Sequence, residues 1–192
     1  MYDMGPYYLS AIVNLIGPVK SVAGMTKTSM PTRHITSQPL NGQSFGVDVP
    51  TYVTGMMNFQ NGAIGTIFVT YDVHAAQLPR IEIYGSEGTL SVPDPNEFCG
   101  PVKLFSPRGG GFMEIPLMYD YPKNSRALGL ADAAKSIETG RKSRVSSEFT
   151  FHILEVMSGI LKAGETNSYV EMKSCPERPA PMEKAVWSGI LD

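Results

Sequence analysis

The segment VDVPTYVTGMMNFQNGAIGTIFVTYDV, residues 47–73, decides the fold class. Val47, Val49, Thr51, Val53, Met57 and Phe59 alternate with more polar positions, and Gly55 interrupts the pattern. A period of two puts one set of side chains on a covered face, so 47–59 is expected to be a β-strand. Gln60-Asn61-Gly62-Ala63 follows it. Asn-Gly is the strongest short hairpin signal, because both residues tolerate φ > 0. The return strand is AIGTIFVTYDV, residues 63–73. Strands joined by so short a turn run antiparallel.

Working outward, VKSVAGMTKTS (19–29) reads as a strand and MPTRHITSQPLNGQSFG (30–46) as a loop, its prolines and glycines breaking any period. PRIEIYG and GTLSVPD form a second pair around Gly85-Ser86-Glu87-Gly88, and VKLFSP (102–107) with GFMEIPL (111–117) a weaker third. YVEMK (169–173) is expected to add an edge strand, and CPERPAPME (175–183) to run as an extended tail into the mixed segment AVWSGILD. Helices lie on either side of the strands. Leu9, Ile12, Val13 and Ile16 fall at i, i+3, i+4 and i+7, which predicts a helix over 6–16. Gly5 and Pro6 suit its start, and Gly17 in a left-handed cap followed by Pro18 suits its end. A second helix is expected from Ser125 to about Thr139, stopped by Gly140, and a third from Glu148 to about Lys162. Strands clustered between helices, rather than alternating with them, mean α+β: a large, mostly antiparallel open sheet with helices on one face.

The 192 residues fit a single domain spanning 1–192. A formal net charge of −2 gives no general attraction to nucleic acid or to an anionic membrane surface. No apolar run reaches the roughly 20 residues that span a bilayer, and no basic segment leads into an apolar core at the start. Cys99 and Cys175 form no CxxC pair and are expected to be reduced thiols in a cytoplasmic protein. No GxGxxG, P-loop, GxSxG or HExxH motif occurs. Gly109-Gly110-Gly111 lies between two short strands and has no helix behind it, so it reads as a hairpin turn. Glu148 and His152, four apart, share a helix face, where a hydrogen-bonded pair is favoured over a metal pair.

Three stretches in order, DMGPYYLSAIVNLIGPVKSV, DVPTYVTGMMNFQNGAIGTIFVTYDV and LPRIEIYGSEGTLSVPDPN, resemble the second domain of the glucose–fructose oxidoreductase, inositol dehydrogenase and MocA family. RALGLADAAKSIETGRKSRVSSEFTFHILEVMSGIL is similar to that domain's closing helices, so the resemblance runs from about residue 3 to 182. It implies an NAD(P)-dependent oxidoreductase acting on a sugar, cyclitol or related polyol. It also implies that NAD or NADP is held mainly by an N-terminal Rossmann domain that this chain does not contain. The chain alone is then expected to be inactive. Family members commonly associate through the open sheet. Tyr52, Met56, Ile67, Val69 and Tyr71 suggest apolar side chains on both of its faces, so a homo-oligomer is expected.

The family often reads D-x-x-x-H, with a further Asp three residues later, at the turn into the first helix. Asp3 matches the first position, Tyr7 stands for the His and Ser10 for the second Asp. Oxidising a carbinol needs a group that takes the hydroxyl proton, and in the family a Lys from the Rossmann half sits beside these residues. A phenol, ordinarily ionising near 10, is a poor base, so Tyr7 either has help from a nearby cation or orients the substrate hydroxyl. Asp3 and Tyr7 are the expected catalytic residues. His74, Arg126 and His152 are secondary candidates for substrate contact. The alternatives are that Asp3 accepts helix N–H groups, Tyr7 packs in the core, Arg126 makes an ion pair and His74 is an ordinary loop residue. Another reading of the whole chain is a non-catalytic, sugar- or nucleotide-sensing module of the same family.

Overall fold

The computed structural model describes residues 1–118, 121 and 125–182. Its helices are α1 (Gly5–Ile16), α2 (Leu128–Thr139) and α3 (Ser147–Thr166). The strands are β1 (Val19–Lys27), β2 (Thr32–His34), β3 (Ser44–Gly46), β4 (Tyr52–Phe59), β5 (Ile64–Thr70), β6 (Ile81–Gly85), β7 (Gly88–Val92), β8 (Val102–Ser106), β9 (Gly111–Ile115) and β10 (Val170–Glu171). The chain divides into two compact units: Met1–Ala76 with Glu148–Glu177, and Gln77–Ser147 with the segment that begins at Arg178. All strand pairs are antiparallel, and the fold is α+β.

In the first unit a four-stranded sheet has the order β10-β1-β4-β5, with β2 and β3 as a separate two-stranded ladder. Along β4 every second residue, Val53, Gly55, Met57 and Phe59, is buried, and Thr51 just before it continues the series. The register carries that face across the sheet, pairing Val22 with Met57, Gly24 with Gly55 and Gly55 with Ile67. Helices α1 and α3 cover it. Leu9 and Val13 from α1, with Ile153, Val156, Met157 and Ile160 from α3, join Val19, Val22, Val53, Met57 and Phe59 in one core. Each such side chain contributes about 1.5–3 kcal/mol by leaving water.

The close approach of α3 depends on the paired glycines. A methyl group on Gly24 would overlap the Ile160 backbone carbonyl, and one on Gly55 would lie 2.9–3.1 Å from three carbons of the Ile160 side chain. Two side chains missing from adjacent strands leave a shallow seat, and Ile160, wholly buried, fills it.

The opposite face is open. Met25, Met56, Ile64 and Phe68 are exposed there, and Tyr52 meets Phe68 edge-on at 4.9 Å between ring centroids. Of the side chains expected on both faces, Tyr52 and Met56 point outward, whereas Ile67 and Val69 pack against the core.

In the second unit β6-β7-β8-β9 form a meander. Gly110 at φ 71° turns the β8–β9 hairpin, as the sequence leads one to expect of the triple glycine. Helix α2 ends at Gly140 in the left-handed conformation. Its buried residues are Asp132 and Ser136 rather than aliphatic ones. Asp132 accepts from Arg141 at 2.7 Å, from the Arg144 guanidinium at 2.6 Å and from the Arg144 amide at 3.0 Å. Burial alone would raise its carboxyl, but the two arginines hold it down to about 2. Arg144 also donates to the carbonyls of Ala180 and Pro181, which fastens the extended tail.

Several expectations change in detail. Residues 30–46 are not all loop, because β2 and β3 form inside them. The strand expected over 47–59 begins only at Tyr52, after Pro50. Asn61 does not take positive φ; Gly62 does, at 87°, so the hairpin turns with one left-handed residue. Asn61 instead accepts from the Ala63 amide and donates to the Ile16 carbonyl. Gly17 closes α1 at φ 121° and ψ −177°, an extended region open to glycine rather than the left-handed cap. Helix α3 runs on to Thr166. The closing segment 185–192 lies outside the described residues.

Gly24→Ala should lower unfolding free energy by about 3 kcal/mol or more, because the new methyl meets a backbone carbonyl. Gly55→Ala meets only a side chain, so its cost should shrink when combined with Ile160→Ala. Urea unfolding of the single and double variants reads both effects. A Gly24→Ala variant as stable as the parent would contradict this packing.

Candidate functional site

Helix α1 begins after a turn that leaves Asp3 exposed, one residue before its Met4 cap. Asp3 does not serve as the helix cap. Its carboxylate accepts one hydrogen bond among the described residues, from the Tyr71 hydroxyl to Oδ2 at 3.1 Å. Tyr71 immediately follows β5, so the open sheet of the first unit brings the two together across 68 positions of sequence. Oδ1 of Asp3 has no partner among the described residues, which leaves an acceptor beside a donor-bearing ring in an exposed setting. Such a pair can receive a hydroxyl group of a ligand. Partial burial, then the hydrogen bond and charge of Asp3, push the Tyr71 phenol above its ordinary range. At neutral pH it is therefore a donor and not a base.

The backbone that carries Tyr71 is tied on both sides. Its amide donates to the Thr51 carbonyl at 3.0 Å, and its carbonyl accepts from Arg33 at 3.2 Å. The same arginine nitrogen reaches Asp72 Oδ1 at 2.6 Å, while Thr51, itself buried, donates to Asp72 Oδ2 at 2.8 Å. Desolvation would raise the Asp72 carboxyl, but Thr51, Ser29 and Arg33 together hold it below the usual carboxylate range. Arg33 belongs to β2, so the ladder inserted between β1 and β4 is fastened at the strand end that holds Tyr71.

The other sequence candidates fall in different places. Tyr7 lies in the first turns of α1, at the edge of exposure, four residues from Asp3. His74 is exposed, two residues past Asp72. Arg126 lies in the turn before α2, in the second unit. His152 is wholly buried and both ring nitrogens are engaged. Nε2 accepts from the Val19 amide at 3.0 Å, so the ring is neutral with its proton on Nδ1, which donates to Ser174 Oγ at 2.7 Å. Ser174 in turn donates to Glu155, whose two oxygens also accept the Lys173 and Ser174 amides. Burial alone would raise the Glu155 carboxyl, but these hydrogen bonds keep it below its ordinary range. His152 thus joins α3 to the start of β1 and to the strand-end segment at 173–174. It has no nitrogen left for a substrate, and the substrate contact expected of it is replaced by this structural one.

The sequence reading missed Tyr71 as a site residue, placing it only on the sheet surface, and missed Arg33, Thr51 and Asp72. The available signal was the polar pair Tyr71-Asp72 directly behind the apolar run of β5. Among the described residues no group of three or more His, Cys, Asp or Glu is placed to hold a metal, and no helix is long and apolar enough to cross a membrane.

The first unit is an α+β unit whose helix start and strand end present a carboxylate and a phenol to solvent. Residues 1–91 match the GFO/IDH/MocA C-terminal domain, in agreement with the resemblance read from the sequence. The fold is shared with levoglucosan dehydrogenase in its apo form, at 20% identity and a TM-score of 0.71 over 91% of this chain and 51% of that one. The same enzyme in complex with NADH and L-sorbose matches at 21% identity and 0.67, over 90% and 50%. The aldose-aldose oxidoreductase from Caulobacter crescentus, complexed with glycerol, matches at 21% and 0.66, over 88% and 46%. This chain therefore spans about half the length of the solved proteins it is similar to. No curated protein matches it.

Burial pushes the His152 imidazole below its ordinary 6.5, against the opposing pull of Glu155 and Ser174. A base depressed on folding adds stability that is complete above its unfolded value and disappears as pH falls through the folded one. The melting temperature should therefore decline as pH is lowered from 7 to 5, and His152→Gln should flatten that part of the profile. A parent profile that is level across this range would contradict the neutral, Val19-bonded ring.

Proposed function

We propose that this chain is the substrate-binding half of an NAD(P)-dependent oxidoreductase acting on a sugar, cyclitol or related polyol. The observation that carries the reading is the exposed Asp3–Tyr71 pair within the stretch that matches the GFO/IDH/MocA C-terminal domain. The names of the structurally similar proteins, a levoglucosan dehydrogenase with NADH and an aldose-aldose oxidoreductase, support the chemistry. The sequence carries no GxGxxG motif, and its run of three glycines closes the β8–β9 hairpin. The cofactor is therefore assigned to a nucleotide-binding part outside these residues, where it supplies the hydride acceptor or donor.

What this chain contributes is recognition and proton handling. Asp3 offers Oδ1 to a substrate hydroxyl and so holds that group, and its proton, in one direction. Tyr7, four residues on in the first turn of α1, is a second hydroxyl for the ring or chain of the polyol. His74, in the same unit, is proposed as an outlying substrate contact. The open sheet face, with Met25, Met56, Ile64 and Phe68, is proposed to meet a second copy of the protein. A sensing module that binds polyols without turning them over is the other reading. The replacement of the family's His by Tyr7 favours it.

The test joins the chain to a nucleotide-binding half and screens a polyol panel with NAD and NADP, with sedimentation on the same sample. Turnover of at least one polyol is expected in an associated protein, none in the chain alone. Tyr7→Phe is expected to lower kcat by about tenfold, the scale for one transition-state hydrogen bond. Polyol binding without turnover would establish the sensor instead.

A further inference from the structure

We propose that Tyr71 is a positioning residue for Asp3, and that the Arg33–Asp72 clasp of the β2–β3 ladder sets its place. The inference rests on the function proposed above and deepens it. Asp3 sits in an exposed turn, and an aspartate there has free rotation about two side-chain bonds. A carboxylate that must meet a hydroxyl within hydrogen-bond reach loses rate when it wanders by even about 1 Å. The single bond that restrains Asp3 among the described residues comes from the Tyr71 hydroxyl, and it occupies Oδ2 while leaving Oδ1 open.

A restraint is useful only if its own base is fixed, and that of Tyr71 is. Its amide is bonded to Thr51 and its carbonyl to Arg33. The next residue, Asp72, is locked by Arg33, by Thr51 and by its own amide donating to the Thr70 hydroxyl at 3.0 Å. Thr51 is itself held by the Ser29 amide at 3.2 Å. Two other chain segments, at 29–33 and at Thr51, thus converge on Tyr71 and Asp72, although the β2–β3 ladder adds no side chain to the core. Arg33 spends its charge on this strand end, and its Nε, shielded from solvent, has no partner among the described residues. That is a cost which stability alone does not explain. The geometry accounts for it: the arginine is aimed at the Tyr71 carbonyl and Asp72 rather than at the best overall satisfaction of its own donors.

The role separates from a merely structural one through kinetics. In the protein joined to its nucleotide-binding half, Tyr71→Phe is expected to lower kcat by about tenfold with KM within about twofold. Arg33→Met is expected to lower kcat as well, yet to add little in the Tyr71→Phe background, because both act through one carboxylate. Kinetics of Tyr71→Phe equal to the parent, or effects of the two changes that multiply in full, would overturn the proposal. If the parent turns over no polyol at all, the functional reading fails. The positioning claim is then read from the ring of Tyr71 by NMR titration. Asp3→Asn should lower its ionisation midpoint, and an unmoved midpoint would refute the contact.

Discussion

The first unit depends on one contact, the seat that Gly24 and Gly55 make for Ile160 of α3. The two glycines face each other across the β1–β4 ladder, so the sheet lacks two adjacent side chains where the helix crosses it. Backbone of helix and backbone of strand approach to a distance that no other residue permits. On either side of Ile160 in α3, added methyl groups at Gly159 and Gly164 would crowd Val22, Met172 and Thr26, so the close fit extends over more than one turn. The register of β1 on β4 follows from it. A slip of β1 by one residue would point Gly24 at the open face and bring Ala23 or Met25 against the helix. The end of β5, where Tyr71 begins, is in turn fixed by its ladder with β4.

Buried polar groups supply what the aliphatic core cannot, which is a unique arrangement of chain segments distant in sequence. His152 links Val19 and Ser174 through one neutral ring, and Glu155 completes the chain of bonds. Asp72 gathers Arg33 and Thr51. In the second unit Asp132 gathers Arg141 and Arg144. Ion pairs of this kind add little net stability against an apolar replacement, yet losing one partner alone is costly. They select among packings. The pair that stands apart is Asp3 with Tyr71, which is exposed, incompletely bonded and therefore suited to a ligand.

Much of this was legible in the sequence. The period of two in 51–59 and the i, i+3, i+4, i+7 stripe of α1 each report a local rule that the packed structure obeys, and the hairpin expected at Asn61-Gly62 forms with positive φ at Gly62 alone. The prolines and glycines of 30–46 hid β2 and β3, because strands of three residues leave no measurable period. The site was legible only in half. Asp3 and Tyr7 lie four residues apart and can be read together, but Tyr71 meets Asp3 through sheet register, which no local window contains. His152 misled for the opposite reason. A histidine on an amphipathic helix looks the same whether its ring faces a ligand or a buried amide, and the deciding partner, Val19, is 133 residues away.

Native-state hydrogen exchange tests most directly whether the seated helix holds the first unit together. If it does, amides of α3, β1 and β4 exchange with one common free energy, that of unfolding the whole unit. Exchange of the α3 amides at a distinctly lower free energy, with β1 and β4 still protected, would contradict the account.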